Sequence, residues 1–192
     1  NAIAKMREKL TLYREAYISI DMLEKLLTKF APSYTTSDLC DKWLITPIKR
    51  GRYYINNLSL DIKNPYIIGA LYMEGEIYSF GGMVVYNRYG LTEQIAEWYT
   101  IYNTKISWQR LIWGAKFIFR RQRDSFFYGV TESVIDWQVY RLLTPERALI
   151  ELLKEWKTYN ELPKNIDRDT LINLSKQYSS KKLQSQVSIL CS

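Results

Sequence analysis

Within the first 55 residues the apolar side chains change period, from every third or fourth position to short β-prone runs, and the change comes just before a Lys-Arg-Gly-Arg turn. A chain written this way is constrained to fold as helices followed by a hairpin. Ile3, Met6, Leu10, Tyr13 and Tyr17 recur at helical steps, with Lys5, Arg7, Glu8, Lys9 and Arg14 between them, and predict one amphipathic helix. Asn1 and Ala2 are read as an appended remnant and set aside from the fold. Ser19 is expected to cap a second helix, with Asp21 favourably placed in its first turn and Met22, Leu23, Leu26, Leu27 and Phe30 forming its buried stripe. Pro32 breaks the chain. Ser33 is then expected to cap a third helix reaching about Leu44, with Leu39, Cys40, Trp43 and Leu44 inward and Tyr34, Thr35, Ser37, Asp38, Asp41 and Lys42 outward. From Ile45 to Ile55 two short runs flank Lys49-Arg50-Gly51-Arg52, where Gly51 supplies the positive φ of a tight hairpin.

Three short helices and a basic hairpin follow the order of a winged helix-turn-helix, which predicts binding to double-stranded DNA. Tyr34, Thr35, Ser37 and Lys42 of the third helix would face the major groove, and Lys49, Arg50, Arg52 and Tyr53 of the hairpin would meet the backbone. The competing reading is a helical bundle with a solvated hairpin, since helix-turn-helix units also serve as protein contacts.

Charge supports the first reading. The net +7 is unevenly spread: residues 1–60 carry +4, residues 61–104 carry −3, and residues 105–123 carry six cations and no acid. Such clusters suit phosphate-rich partners, because each neutralised phosphate releases a counterion. The second cluster, Lys105, Arg110, Lys116, Arg120, Arg121 and Arg123, is interleaved with Trp108, Trp113, Phe117 and Phe119. It reads either as a solvated sheet face over buried aromatics or as a surface for nucleic acid or a protein partner.

Asn56–Lys63 reads as a linker, giving two domains, 1–60 and 61–192. The second is mixed: a short helix opened by Pro65, another from Phe80 to about Tyr89 capped by Ser79, strands near 97–103, 110–113, 115–121, 133–136 and 138–142 in an antiparallel sheet, and C-terminal helices. Thr144-Pro145-Glu146 starts one of these, with Ala148, Leu149, Leu152, Leu153 and Trp156 as its buried face, and a last one spans about Asp167–Leu190. The fold class is therefore α+β.

Absent residue types close many chemistries. The chain has no histidine, which excludes histidine relays and HExxH zinc sites, and Cys40 and Cys191 are too few for a thiolate cage or a disulfide scaffold. No cofactor, no metal and no catalytic residue is expected. Gly81-Gly82 lacks the paired aspartates that a nucleotidyltransferase needs, Glu93 and Glu146 are single carboxylates, and Asp136 lacks the nearby lysine of a metal-dependent nuclease, since the position is Gln138. With no eighteen-residue apolar run and no leader pattern, a cytoplasmic protein is expected.

From about Leu10 onward the chain resembles the AbiEi-type antitoxins of type IV toxin–antitoxin and abortive-infection systems. The resemblance rests on Lys49-Arg50-Gly51-Arg52-Tyr53, Asn64-Pro65-Tyr66-Ile67-Ile68, Tyr78-Ser79-Phe80-Gly81-Gly82-Met83, Gly90-Leu91-Thr92-Glu93-Gln94, Phe126-Phe127-Tyr128-Gly129 and Thr144-Pro145-Glu146-Arg147-Ala148-Leu149, in that order. It implies a winged helix that represses its own operon and a second domain that counteracts a nucleotidyltransferase toxin, directly or through the toxin's target. The chain departs from the family at Arg88-Tyr89-Gly90-Leu91, where an aromatic-His-Gly-Leu step is usual, and at Ile150-Glu151 in place of Leu-Asp. Two other readings remain: a stand-alone regulator whose second domain binds a ligand or dimerises, and a nuclease targeted by its winged helix.

Overall fold

The computed structural model describes residues 1–13, 15, 17–56, 64–135, 138–155 and 158–192. The chain is α+β and divides into two units, Asn1–Asp61 and Ile62–Ser192, each built on its own sheet.

The first unit runs α1 (Ala2–Thr11), β1 (Tyr17–Ser19), α2 (Ile20–Phe30), α3 (Thr36–Asp41), β2 (Ile45–Lys49), β3 (Arg52–Ile55). Its sheet is antiparallel in the order β1-β3-β2. Met6 and Leu10 of α1, Leu23 and Leu27 of α2, Leu39 of α3, and Ile18, Leu44, Ile45 and Ile55 from the sheet side make one core, against which Cys40 packs. Two expectations at the start of the chain are corrected. Asn1 and Ala2 belong to the fold, because the Asn1 side chain caps α1 by accepting from the Ile3 N–H. Tyr17 leaves the helical stripe and pairs with Tyr54, so a third strand replaces the extra helical turn. Ser19 caps α2 as expected.

In the second unit come α4 (Pro65–Tyr72), β4 (Tyr78–Gly81), α5 (Gly82–Arg88), β5 (Trp98–Asn103), β6 (Trp108–Ile112), β7 (Ala115–Arg121), a 3-10 turn at Asp124–Phe126, β8 (Val130–Ile135), β9 (Gln138–Leu143), α6 (Pro145–Lys154), α7 (Arg168–Ser175) and α8 (Lys181–Leu190). Tyr78–Gly81 is therefore a central strand rather than the start of a helix capped by Ser79. All four residues are buried, and a run that is apolar on both faces suits a strand covered from both sides. The final helix is two helices, since Ser180 caps α8 afresh.

The sheet has the order β6-β7-β5-β4-β9-β8 and is mixed rather than antiparallel: β5 runs parallel to β7, and β4 parallel to β9. Asn103 explains the first of these. Its buried carboxamide oxygen accepts from the Lys105 and Ile106 N–H groups at 2.9 and 2.7 Å, and its amide donates to the Ile106 carbonyl at 3.0 Å. The loop after β5 is thereby turned so that β6 takes the sheet edge and β7 returns into the gap.

On one face α4 lies over an aromatic layer, with the Tyr66 ring edge-to-face with Phe80 at 4.9 Å and tilted against Tyr140 at 4.8 Å, and Tyr72 5.2 Å from Phe119. Gly69 permits that approach, as a Cβ there would come within 2.4 Å of Phe80. The Gly81-Gly82 pair does the same on the other face, where added Cβ atoms would meet Tyr102 and Thr100.

Helix α6 starts as expected, with Thr144 capping the Arg147 N–H and Pro145 in the first turn. Its burial is not confined to one stripe. Arg147 is fully buried, its guanidinium 4.6 Å from the Phe126 ring, 4.3 Å from Tyr128 and 5.1 Å from Tyr178. It donates to Glu151 one turn on and to the Tyr178 hydroxyl at 2.9 Å, and Tyr178 donates to Glu151. Lys154 completes the cluster, reaching Glu151 at 3.1 Å. Glu146 accepts from the Asp167 N–H at 3.0 Å, which ties α6 to the start of α7. Trp156 lies outside the described residues.

Burial pushes the Glu151 carboxyl up, but Arg147, Tyr178 and Lys154 outweigh it and hold the group below its ordinary value of 4.5. A carboxyl depressed in the folded state contributes stability that is complete above its unfolded pKa and is lost as pH falls through the folded one. The second unit is thus expected to lose stability on acidification below about pH 4, and Glu151→Gln to flatten that dependence. Arg147→Ala, which strands a buried carboxylate, should cost about 3–5 kcal/mol, whereas the double change Arg147→Met/Glu151→Leu should cost much less. Urea denaturation between pH 3 and 7 measures both; equal losses for the single and double variants would contradict the pairing.

Candidate nucleic-acid interface

Thr35, not Ser33, starts α3. Its N–H donates to Asp38 Oδ2 at 2.6 Å, its hydroxyl donates to the same oxygen at 2.7 Å, and it accepts from the Asp38 N–H at 3.3 Å, a complete capping box. These bonds from Thr35 hold the Asp38 carboxyl below its ordinary value. A residue expected to read bases is therefore occupied in shaping the helix that would do so. Ser37 and Lys42 are exposed, with the Lys42 ammonium 5.9 Å from the ring of half-buried Tyr34.

The helix stops earlier than the apolar spacing suggests. Lys42 is its C-cap, and the next residue, Trp43, has φ +56°. The Leu44 N–H donates to the Leu39 carbonyl at 3.0 Å and the Trp43 N–H to the Cys40 carbonyl at 2.9 Å, which is the paired bonding of a Schellman stop. Trp43 was expected inside; the reversal of the chain turns it out, and it is 80% exposed. Helix α5 ends on the same pair of bonds, from Leu91 to Tyr86 and from Gly90 to Asn87, with glycine at φ +68° in the left-handed position. A side chain there costs about 1–2 kcal/mol. The strained turn at Trp43 is held by Asn56, whose amide donates to the Trp43 carbonyl at 2.9 Å and whose oxygen accepts from the Thr46 hydroxyl at 2.8 Å. Asn56, expected in the linker, thus belongs to the first unit. Residues 57–63 of that linker lie outside the described residues.

The hairpin turns at Arg50-Gly51, with Gly51 at φ +73° as expected. The Gly51 carbonyl accepts from the Ile20 N–H at 2.9 Å, so the tip is tied to the start of α2 and reaches only a short way out. Arg50 is exposed, Lys49 half-buried, and the Arg52 guanidinium lies 5.6 Å from the Tyr17 ring. Tyr53 packs against the core, which leaves it a smaller share in any surface contact.

In the second unit the pleat divides the other cation cluster between two faces. Lys116 and Arg120 point to one side of β7. Arg110, opposite Phe117 on the adjacent strand, points to the other, its guanidinium 5.4 Å from Trp108 and its Nη1 3.3 Å from the Tyr72 hydroxyl. Lys116 is paired with Glu97. Arg120 ends β7 beside Arg121, while Lys105 and Arg123 sit in the loops that flank the sheet, and all four are exposed. The strip is thus not one continuous cationic face; Arg120, Arg121 and Arg123, close in sequence, are its exposed end.

Among the described residues no three His, Cys, Asp or Glu side chains come together as a metal site, and no helix is long and apolar enough to cross a membrane. Glu93 is exposed in the loop after α5, far in function from Glu146, whose carboxylate is spent on Asp167. Asp136 lies outside the described residues.

Because Thr35 builds the cap, Thr35→Ala should destabilise the first unit by about 1 kcal/mol, and Thr35→Ser by much less. Urea titration followed by circular dichroism tests this, and an unchanged midpoint for Thr35→Ala would contradict the assigned role. In comparisons with known proteins, no protein-family model matches the chain and no curated protein matches it.

Proposed function

We propose that the protein is a cytoplasmic DNA-binding antitoxin and autorepressor, with a winged helix-turn-helix as its first unit and no catalytic step. The observation that carries the DNA-binding half is the path α1-β1-α2-α3-β2-β3 with sheet order β1-β3-β2, because a short third helix leading directly into a two-stranded hairpin is the pair of elements a winged helix lays on duplex DNA. Supporting it are the exposed Ser37 and Lys42, presented by the capped helix α3, and the exposed Arg50 in the hairpin turn.

The antitoxin half rests on the resemblance to AbiEi-type proteins. In its favour, four of the six runs that carry that resemblance pack against one another in pairs within the second unit. Phe126-Phe127-Tyr128-Gly129 and Thr144–Leu149 meet at Arg147, with the Thr144 N–H donating to the Gly129 carbonyl at 2.8 Å. Asn64–Ile68 and Tyr78–Met83 meet in the edge-to-face contact of Tyr66 with Phe80. Neutralisation by surface recognition, at the Arg120-Arg121-Arg123 end of the basic strip, requires no chemistry from this chain.

Gel shifts with the duplex upstream of the gene and with a shuffled duplex, at 50 to 200 mM salt, test the first half. Lys42→Ala and Arg50→Ala should each weaken both duplexes and lower the salt slope by about one unit. Ser37→Ala should narrow the difference between the two duplexes while leaving the slope alone. No shift with either duplex at 50 mM salt would overturn DNA binding.

For the second half, a nucleotidyltransferase reading frame is expected beside the gene, and co-expression should relieve its toxicity. The triple change Arg120→Glu/Arg121→Glu/Arg123→Glu should abolish that relief without unfolding the unit, since exposed charges contribute little to stability. A folded triple variant that still rescues growth would exclude the strip. DNA binding without any such neighbouring gene would leave a stand-alone regulator.

A further inference from the structure

We infer that Trp43 is a DNA-contacting residue whose indole packs on the sugar–phosphate backbone at the groove wall, adding affinity without reading sequence. The inference rests on the DNA-binding reading of the first unit and adds to it a residue that the charge pattern does not single out.

Three observations converge on it. The ring is 80% exposed on a unit whose other aliphatic and aromatic groups near α3 pack inward. The backbone beneath it occupies the left-handed region, which L side chains rarely adopt, in a stop motif that the same chain builds with Gly90 at the end of α5. The turn is nevertheless held rigidly, by the Leu44 and Trp43 N–H groups and by the Asn56 side chain. Stability alone would favour glycine or asparagine at this position, and burial gives the tryptophan nothing in return.

Its place in the fold indicates what the ring meets. Trp43 is where the chain leaves the C-terminal end of α3 for β2, at the open end of the hairpin beside Asn56, with the Arg50-Gly51 tip at the other end of the two strands. With α3 in the major groove, a residue just past its C-terminal end would face the groove wall, which is deoxyribose and phosphate. The indole fits that surface, with a flat apolar face for the sugar and one N–H donor for a phosphate oxygen. Lys42, the preceding residue, is exposed and supplies the charge that brings a polyanion to the same spot.

A neutral contact has a signature that cations lack. Full-length protein and the variants Trp43→Gly, Trp43→Asn and Trp43→Phe are titrated against fluorescein-labelled 24-base-pair duplexes, one AT-rich and one GC-rich, at four salt concentrations, with thermal melts of each protein. Expected for Trp43→Gly and Trp43→Asn is binding about 5–10-fold weaker on both duplexes at every salt concentration, with parallel salt slopes and a melting temperature equal to or above that of the parent. Trp43→Phe should retain most of the affinity. Unchanged affinity in Trp43→Gly and Trp43→Asn overturns the inference, and so does a loss accompanied by a lower melting temperature in both, which would make the ring structural. Failure of the parent to bind either duplex overturns the DNA-binding reading itself, and the inference with it.

Discussion

A guanidinium taken wholly out of water has to be surrounded by partners, and the second unit is organised by that requirement at Arg147. Three stretches of chain, the turn after β7, helix α6 and the segment before α8, contribute Phe126 and Tyr128, Glu151, and Tyr178 to one cluster. Removing the charge alone would leave Glu151 buried with only Lys154 and Tyr178 against it, so the cluster ties the helical end of the unit to the turn after β7. Gly129 is part of the same arrangement, because a Cβ there would come within 2.9 Å of the Arg147 side chain.

Several locally encoded features are legible in the sequence. Ser19, Thr144-Pro145 and Gly51 act within a few residues of themselves, and the structure uses each as the spacing suggests. Long-range features were not legible. Tyr78–Gly81 carries no helical or alternating period, so its strand conformation follows from the layers on both sides of it. The parallel pairing of β5 with β7 depends on the buried Asn103 turning a loop, which has no hydrophobic signature. Arg147 and Glu151 stand one helical turn apart and look like a surface ion pair until aromatic rings from distant segments close over them.

Trp43 was misread for a different reason. Leu39, Cys40, Trp43 and Leu44 satisfy helical spacing, and no glycine marks the place where α3 ends. The available signal was the pair Leu39 and Leu44, whose apolar contact commonly accompanies a stop with a left-handed residue between them. Thr35, placed toward the groove by the winged-helix reading, also caps α3, and Asp38 three residues on is the sequence sign of that cap. On the proposed DNA-binding reading, Ser37, Lys42, Trp43 and Arg50 are the exposed candidates along α3 and the hairpin.

On the proposed function, the first unit would hold DNA and the second would not. Hydrogen exchange of the full chain, with and without a saturating 24-base-pair duplex, tests this division most directly. Slowed exchange confined to peptides spanning α3 through β3, with the second unit unchanged, is the predicted result. Protection concentrated on β6 and β7, or no protection in the first unit under conditions of full binding, would contradict it.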